Sequence, residues 1–348
     1  MKQTPDSISK RKKEHIELCL TDKVSFKEKT NGFENYEFNH NAVTEVDMSA
    51  ITFETLFLGK KVEYPFLISC MTGGSAESEN INATLAIAAD KLKIPLGIGS
   101  QRQALENTKY HHTYKIIRKN APSIPLLGNI GAAQIVKMTS FAPVNYLIDL
   151  VEADAMVIHV NPLQELIQRN GEPEFMGLLK KIEKLVKEIK IPLIVKEVGA
   201  GISSDAAMRL LDCGVQGIDV AGAGGTSWAG VEILRNKNWK YREFWDWGLP
   251  TSYCIKTVAE LKKAYDFVLI GSGGINSALE TAKALALGAD IAGSARIILQ
   301  TLDSGGAEGV ENLVRDWFDK VRKIMFLTGS ASLNDFRKNK LILRGNLY

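Results

Sequence analysis

Cysteine is scarce in this chain of 348 residues. Cys19, Cys70, Cys213 and Cys254 stand far apart and form no CxxC pair, which argues against a zinc ribbon, a redox dithiol or a disulfide-stapled scaffold and fits a reducing compartment. Long apolar runs are missing too. The N-terminus MKQTPDSISKRKKEHIEL has no apolar centre of the kind a signal peptide needs, and no later run reaches membrane-spanning length without Gly, Pro or charge. A soluble, cytoplasmic protein with no membrane partner is expected. Nor is there an excess of one charge sign: the formal net charge of +3 is too small for a dedicated nucleic-acid binder. HExxH spacing is absent, and no histidine follows His159.

What is present has ordinary globular balance, 45% hydrophobic and 24% charged, at a length that suits one large barrel or two ordinary domains. From residue 65 onward, short apolar runs at 66–70, 96–99, 126–129, 155–161, 193–197, 217–221, 267–272 and 290–293 read as buried strands. Helical stretches at 174–190, 204–211 and 278–287 alternate with them. Eight parallel repeats predict an α/β fold, a TIM-type (β/α)8 barrel over residues 65–348. Residues 1–64 read as an N-terminal extension. Residues 228–250, with four of the five tryptophans, read as a long loop over the barrel mouth. A doubly wound sheet would also alternate strands and helices, but it would place GxGxxG after its first strand. Here Cys70 is followed by Met71-Thr72-Gly73-Gly74-Ser75.

A barrel of this type carries its chemistry at the C-terminal ends of the strands, and the unusual residues of the chain sit there. They are Met71-Thr72-Gly73-Gly74, Ser100-Gln101-Arg102, Asn129, His159 through Glu165, and Lys196-Glu197. Then come three glycine-rich turns, Gly222-Ala223-Gly224-Gly225-Thr226, Gly271-Ser272-Gly273-Gly274-Ile275 and Gly293-Ser294-Ala295-Arg296. Turns without Cβ atoms let backbone N–H groups approach an anion, so together they read as a phosphate cradle. Lys196, among Ile, Val and Leu, points either into the mouth or outward against a helix; pairing with Glu197 is disfavoured because adjacent strand residues face opposite sides. His159 alone reads as a core histidine, but Asn161, Gln164 and Glu165 cluster beside it, and a lone carboxylate there suits magnesium shared with substrate phosphates. The basic run Lys10 to Lys13, with Glu14 and His15, reads on its own as a solvated helix start.

In order and spacing, Arg11-Lys12-x-Glu14-His15, Met71-Thr72-Gly73-Gly74, Gly99-Ser100-Gln101-Arg102, His159-Val160-Asn161-x-x-Gln164-Glu165, Lys196-Glu197-Val198-Gly199 and Gly224-Gly225-Thr226 resemble the motifs of type 2 isopentenyl diphosphate isomerase. The resemblance implies FMN held by Met71, Thr72, Gly73, Ser100, Asn129, Lys196, Thr226, Gly273, Gly274, Ile275, Ser294 and Ala295. It implies an allylic or homoallylic diphosphate held by Arg11, Lys12, Ser100, Gln101, Arg102 and Gln164, so that the extension serves the substrate site. It further implies Glu165 on Mg2+, NADPH as reductant, and a homo-tetramer or homo-octamer in which the basic pair can serve a neighbouring subunit. Ala221 departs from the serine that some members place against the flavin phosphate.

Moving a double bond by one position adds one proton and removes another without net redox change. Gln164, a neutral amide, is a poor proton carrier. The expected catalytic set is therefore reduced flavin as acid and base, Lys196 favouring its anionic form, and Gln164 and His159 positioning the substrate. The alternative is an FMN-dependent 2-hydroxy acid oxidoreductase, which needs a base such as histidine late in the barrel. A third reading is a non-catalytic phosphate or nucleic-acid binder led by the basic N-terminus.

Overall fold

The computed structural model describes residues 5–338 and 341–346, with side chains placed from residue 11 onward. Residues 1–4 of the expected extension, and 339–340 and 347–348 of the expected barrel segment, lie outside the described residues.

Eight parallel strands close into a barrel: β4 (Phe66–Ile68), β5 (Leu96–Gly97), β6 (Leu126–Gly131), β7 (Ala155–Val160), β8 (Leu193–Glu197), β9 (Gly217–Asp219), β10 (Val268–Ser272) and β11 (Ile291–Ser294), with β11 returning to β4. Strand alternation sorts their side chains. Phe66, Ile68, Leu126, Met156, Ile158, Leu193, Val195 and Leu269 pack outward in the large core shared with the helices. Leu67, Leu127, Ala155, Val157, Ile194, Ile270 and Ile291 pack inward. The hairpin of β2 (Thr55–Phe57) and β3 (Lys60–Val62) adds Phe57 and Val62, both fully buried, to that inner cluster and so stops the bottom of the barrel.

The extension is no separate body. Phe33, Ile51 and Phe53 belong to the large core, and β1 (Tyr36–Glu37) pairs antiparallel with β12 (Ile342–Leu343) near the C-terminus. The helix Pro5–Cys19 packs on the helices Arg102–Glu106 and Trp228–Asn236 at the other end of the barrel.

Two expectations change. The helix expected over 174–190 runs Leu178–Glu188, because Gly177 at φ +83° sets the left-handed bend just before it. The segment 228–250 is not a loop. It holds the helix Trp228–Asn236, capped where the Ser227 hydroxyl accepts the Gly230 N–H, and a 3-10 helix Trp239–Phe244. A Cβ at Gly230 would come within 2.7 Å of the Trp245 ring, so the glycine that weakened the helical pattern is what lets the indole lie on the helix.

Candidate active site above the barrel core

Two residues on from the inner layer, six of the eight strands turn polar. Leu67 leads to Ser69, Leu127 to Asn129, Val157 to His159, Ile194 to Lys196, Gly217 to Asp219 and Ile270 to Ser272. Period two keeps them on the same inner side, and Ser69, Asn129, His159, Lys196 and Ser272 line a cavity of about 270 Å3 above that layer.

Bonds within the floor fix its chemistry. His159 Nδ1 lies 2.7 Å from Asn129 Oδ1, so it donates there and leaves Nε2 free to accept. Burial, with the charges of Lys196 and Lys12, pulls His159 down to about 4 and keeps the ring neutral. Lys196 points inward and is buried; its ammonium donates to the Glu197 carbonyl at 2.9 Å and stands 3.5 Å from Asp219 Oδ2. The Glu197 carboxylate instead accepts backbone N–H groups from Val198, Gly199, Ala200 and Gly201. The sequence reading rightly set aside the Glu197 carboxylate as partner but named no other.

One wall is basic. Arg11, Lys12, Ser100, Arg102, Gln164 and Glu165 all line the cavity, and Arg11 shares its field with Glu232, Arg102 and Glu165. Asn161 Nδ2 donates to Gln164 Oε1 at 3.0 Å and Glu165 Oε1 at 3.2 Å, while Glu165 Oε2 accepts the Glu172 N–H. Arg102 reaches Glu106 and Glu172. Gln101 is a correction: it is fully buried beside the cavity, donating to the Leu147 carbonyl and accepting the Asn129 N–H, so its amide braces a strand and is spent before any substrate arrives.

The flavin-side expectations meet more closely. Met71, Thr72, Ser100, Asn129, Lys196, Thr226, Gly273, Gly274, Ser294 and Ala295 line the cavity. Gly73 and Ile275 do not: the Gly73 carbonyl accepts from Lys12, and Ile275 is fully buried with its carbonyl taking the Ser294 hydroxyl. The glycines serve a purpose besides anion approach. A Cβ at Gly273 would meet the Gly222 carbonyl at 2.2 Å and one at Gly225 the Gly274 nitrogen at 2.5 Å, so the turns interlock backbone to backbone. Ala221 also lines the cavity, held at φ +37°.

Sequence reasoning missed Ser69, Asp219 and Glu232, placed Ser272 only in a glycine-rich turn and Trp228 only in the segment over the mouth, and gave His15 no role. Ser69 and Ser272 follow the inner apolar residues Leu67 and Ile270 by two, and Asp219 keeps the same spacing after Gly217, a signal present in the sequence. The others needed the fold: His15 Nε2 lies 2.9 Å from Glu232 Oε1 and packs edge-on against Trp228. Glu232 is buried, which opposes ionisation, yet His15 and Arg235 outweigh this and hold its carboxylate at about 2.

Lys12 gives a pH prediction. It donates to the carbonyls of Gly73 and Ser100 and to the Tyr114 hydroxyl, and burial together with Arg11 lowers it to about 7. Because the folded value lies below the ordinary one, the unfolded chain binds more protons between pH 7 and the usual lysine range, and the docked state gains stability as pH rises through that window. An anion beside Lys12 reverses the shift. Inorganic diphosphate bound at pH 8 is therefore expected to take up close to one proton, measured by calorimetry in buffers of different ionisation enthalpy, and Lys12→Met should abolish the uptake.

Comparison with known proteins agrees with this geometry. The model of the FMN-dependent dehydrogenase family matches residues 5–119 and 142–343. The isopentenyl-diphosphate delta-isomerase of Chlorobium limicola is 43% identical, over 97% of this chain and 98% of its own. That of a Nostoc species is 44% identical, over 96% and 95%. Among solved structures, the flavin-binding domain of baker's yeast flavocytochrome b2 superposes with a TM-score of 0.69 at 19% identity, over 98% of this chain and 92% of that one. A mandelate oxidase variant with benzaldehyde does so at 0.67 and 17%, over 98% of both. These two share the fold.

Proposed function

The chain belongs to the FMN-dependent dehydrogenase family, within which its curated relatives are isopentenyl-diphosphate delta-isomerases, and from that premise we propose that it interconverts isopentenyl and dimethylallyl diphosphate by a 1,3-proton shift. The observation that carries the reading is one cavity with a polar floor under glycine-rich turns on one side and Arg11, Lys12 and Arg102 on the other. FMN fits the first side: the turns offer backbone N–H groups, and Ser69, a lining residue of the floor, has a buried Oγ with no hydrogen-bond partner. Reduced FMN, when bound, supplies the acid and base chemistry.

The residues do the rest. Met71, Thr72, Asn129 and Lys196 hold the flavin from the floor, and Thr226 and the Gly273-Gly274 and Ser294-Ala295 turns hold its phosphate. Arg11, Lys12, Ser100 and Arg102 bind the diphosphate, so that remote binding energy orients an apolar reacting end. Gln164, itself fixed by Asn161, positions that end, and neutral His159 offers Nε2 as an acceptor beside it. Glu165 would hold Mg2+, whose charge would offset that of the diphosphate. NADPH enters only as the initial reductant. The helix bearing Arg11 and Lys12 closes its own chain's cavity, so the clamp acts in cis within a homo-oligomer.

The oxidoreductase alternative is disfavoured at His159. A histidine held near 4 is too weak a base for abstracting a proton from a hydroxy acid at neutral pH. The test is direct: the purified protein, loaded with FMN and reduced anaerobically, should convert isopentenyl diphosphate to dimethylallyl diphosphate by NMR in the presence of Mg2+. Oxidation of a 2-hydroxy acid with no isomerisation would overturn the reading. Glu165→Gln, which keeps size and deletes charge, should keep FMN but need at least about tenfold more Mg2+, the loss of a charged ligand contact costing roughly 1.5 kcal/mol or more. An unaltered Mg2+ requirement would remove Glu165 from the metal.

A further inference from the structure

We infer that Asp219 is a positioning residue for the flavin: acting through Lys196, it sets how strongly the cavity floor favours the anionic form of reduced FMN. The inference rests on the FMN reading above and deepens it.

Asp219 does not line the cavity and is almost fully buried beneath it. Directly opposite Lys196 in the β8–β9 ladder, it places Oδ2 3.5 Å from Nζ, while its Oδ1 accepts the Ser272 hydroxyl at 2.6 Å. Three neighbouring strands thus hold one carboxylate against one ammonium. The other titratable groups facing Lys196 are His159, its partner in β7, and Cys70. Both are neutral: the ring is held near 4, and burial pushes the thiol up to about 11. Glu197 gives its carboxylate to its own backbone loop, yet it too feels the Lys196 charge. Asp219 is the carboxylate within ion-pair range of Lys196, 3.5 Å from Nζ.

A buried ion pair is a poor way to gain stability, since apolar side chains fill such a layer as well, as they do one layer below. A role in the chemistry gives the pair a reason. A group that must both give and take a proton works best with a pKa near the operating pH. Lys196 alone would bias reduced FMN far toward its anion. Asp219 opposes that bias while keeping the flexible lysine stem pinned under the ring.

The test uses Asp219→Asn and Asp219→Ser, which remove the charge with and without an amide in its place. In flavin-free protein labelled at lysine Nε, NMR should show the Lys196 resonance displaced and its ammonium protons exchanging faster in both variants, as loss of the ion pair requires, the resonance being assigned by its loss in Lys196→Ala. In the holoenzyme, the pKa of bound reduced FMN, read from its absorbance, should fall by about one unit, a tenfold change in the dissociation constant, opposite in sign to Lys196→Ala. Weaker FMN binding with an unmoved flavin pKa would mean a merely structural Asp219, and a raised flavin pKa would mean that it only anchors the lysine; either overturns the inference. Should the wild type bind no FMN, the flavin reading fails by itself, and the flavin-free spectrum still decides whether Asp219 holds Lys196.

Discussion

Lys196→Ala is expected to raise the pKa of bound reduced FMN by one to three units and to weaken FMN binding. The sign follows from the charge, since a cation beside the ring favours the anionic form and its removal favours the neutral one. The size follows from Coulomb's law: a unit charge at about 4 Å is worth roughly 4 kcal/mol at an effective dielectric constant near 20, or about three pKa units. Asp219 adds to the effect. With Lys196 gone its buried carboxylate has only Ser272 left, and breaking such a pair costs about 3–5 kcal/mol because one charge stays buried. Lys196→Ala should therefore also unfold at lower denaturant concentration, and adding Asp219→Asn should recover much of that loss while leaving activity low. Titration of the reduced flavin together with denaturant melts separates the two effects. An unmoved flavin pKa would take Lys196 out of the flavin site.

The barrel was legible because its signal is repetitive. Eight short apolar runs recur at similar spacing, and their boundaries came out within two residues, the largest departures being where β4, β5 and β9 leave the ladder early to make the turns of the site and where β6 runs on to Gly131. The long segment 228–250 was not legible, because its short helix holds Gly230, which weakens helical patterning, and takes its order from the Trp245 ring packed on it. The site divides in the same way. Residues at strand ends could be located from the repeat alone, and most of them line one cavity. Gln101 could not be judged from sequence, since its neighbours Ser100 and Arg102 do face the cavity and only the fold shows its amide bonded away.

Asp219 shows a different limit. It lies within the expected sixth strand, and a charged residue there, seldom buried unless paired, implies a partner as Lys196 does. That partner lies on the neighbouring strand, in a register that sequence does not supply. The basic run near the N-terminus, by contrast, reads as a solvated helix start from its charge alone. Only the resemblance pointed inward, and the structure places Arg11 and Lys12 on the cavity wall.

The other large effect is expected there. Arg11→Ala with Lys12→Ala should raise the Michaelis constant for isopentenyl diphosphate by an order of magnitude or more while the protein stays folded and yellow, because the flavin-lining residues all follow β4. Each charge-assisted bond to a phosphate oxygen is worth roughly 1.5–3 kcal/mol, about tenfold to a hundredfold in affinity. The two residues should not contribute alike. Lys12 is committed to the carbonyls of Gly73 and Ser100 and to Tyr114, so its loss also unseats the helix Pro5–Cys19 from the mouth and should loosen protection of that helix in hydrogen exchange. Arg11→Ala removes a cavity-wall charge set among Glu232, Arg102 and Glu165, and its effect should show in the Michaelis constant. Since this helix closes the cavity of its own chain, mixing the double variant with Glu165→Gln should restore no activity in hybrid oligomers. Recovered activity would show that the clamp crosses between subunits, and unchanged kinetics in the double variant would return the basic run to a solvated helix start.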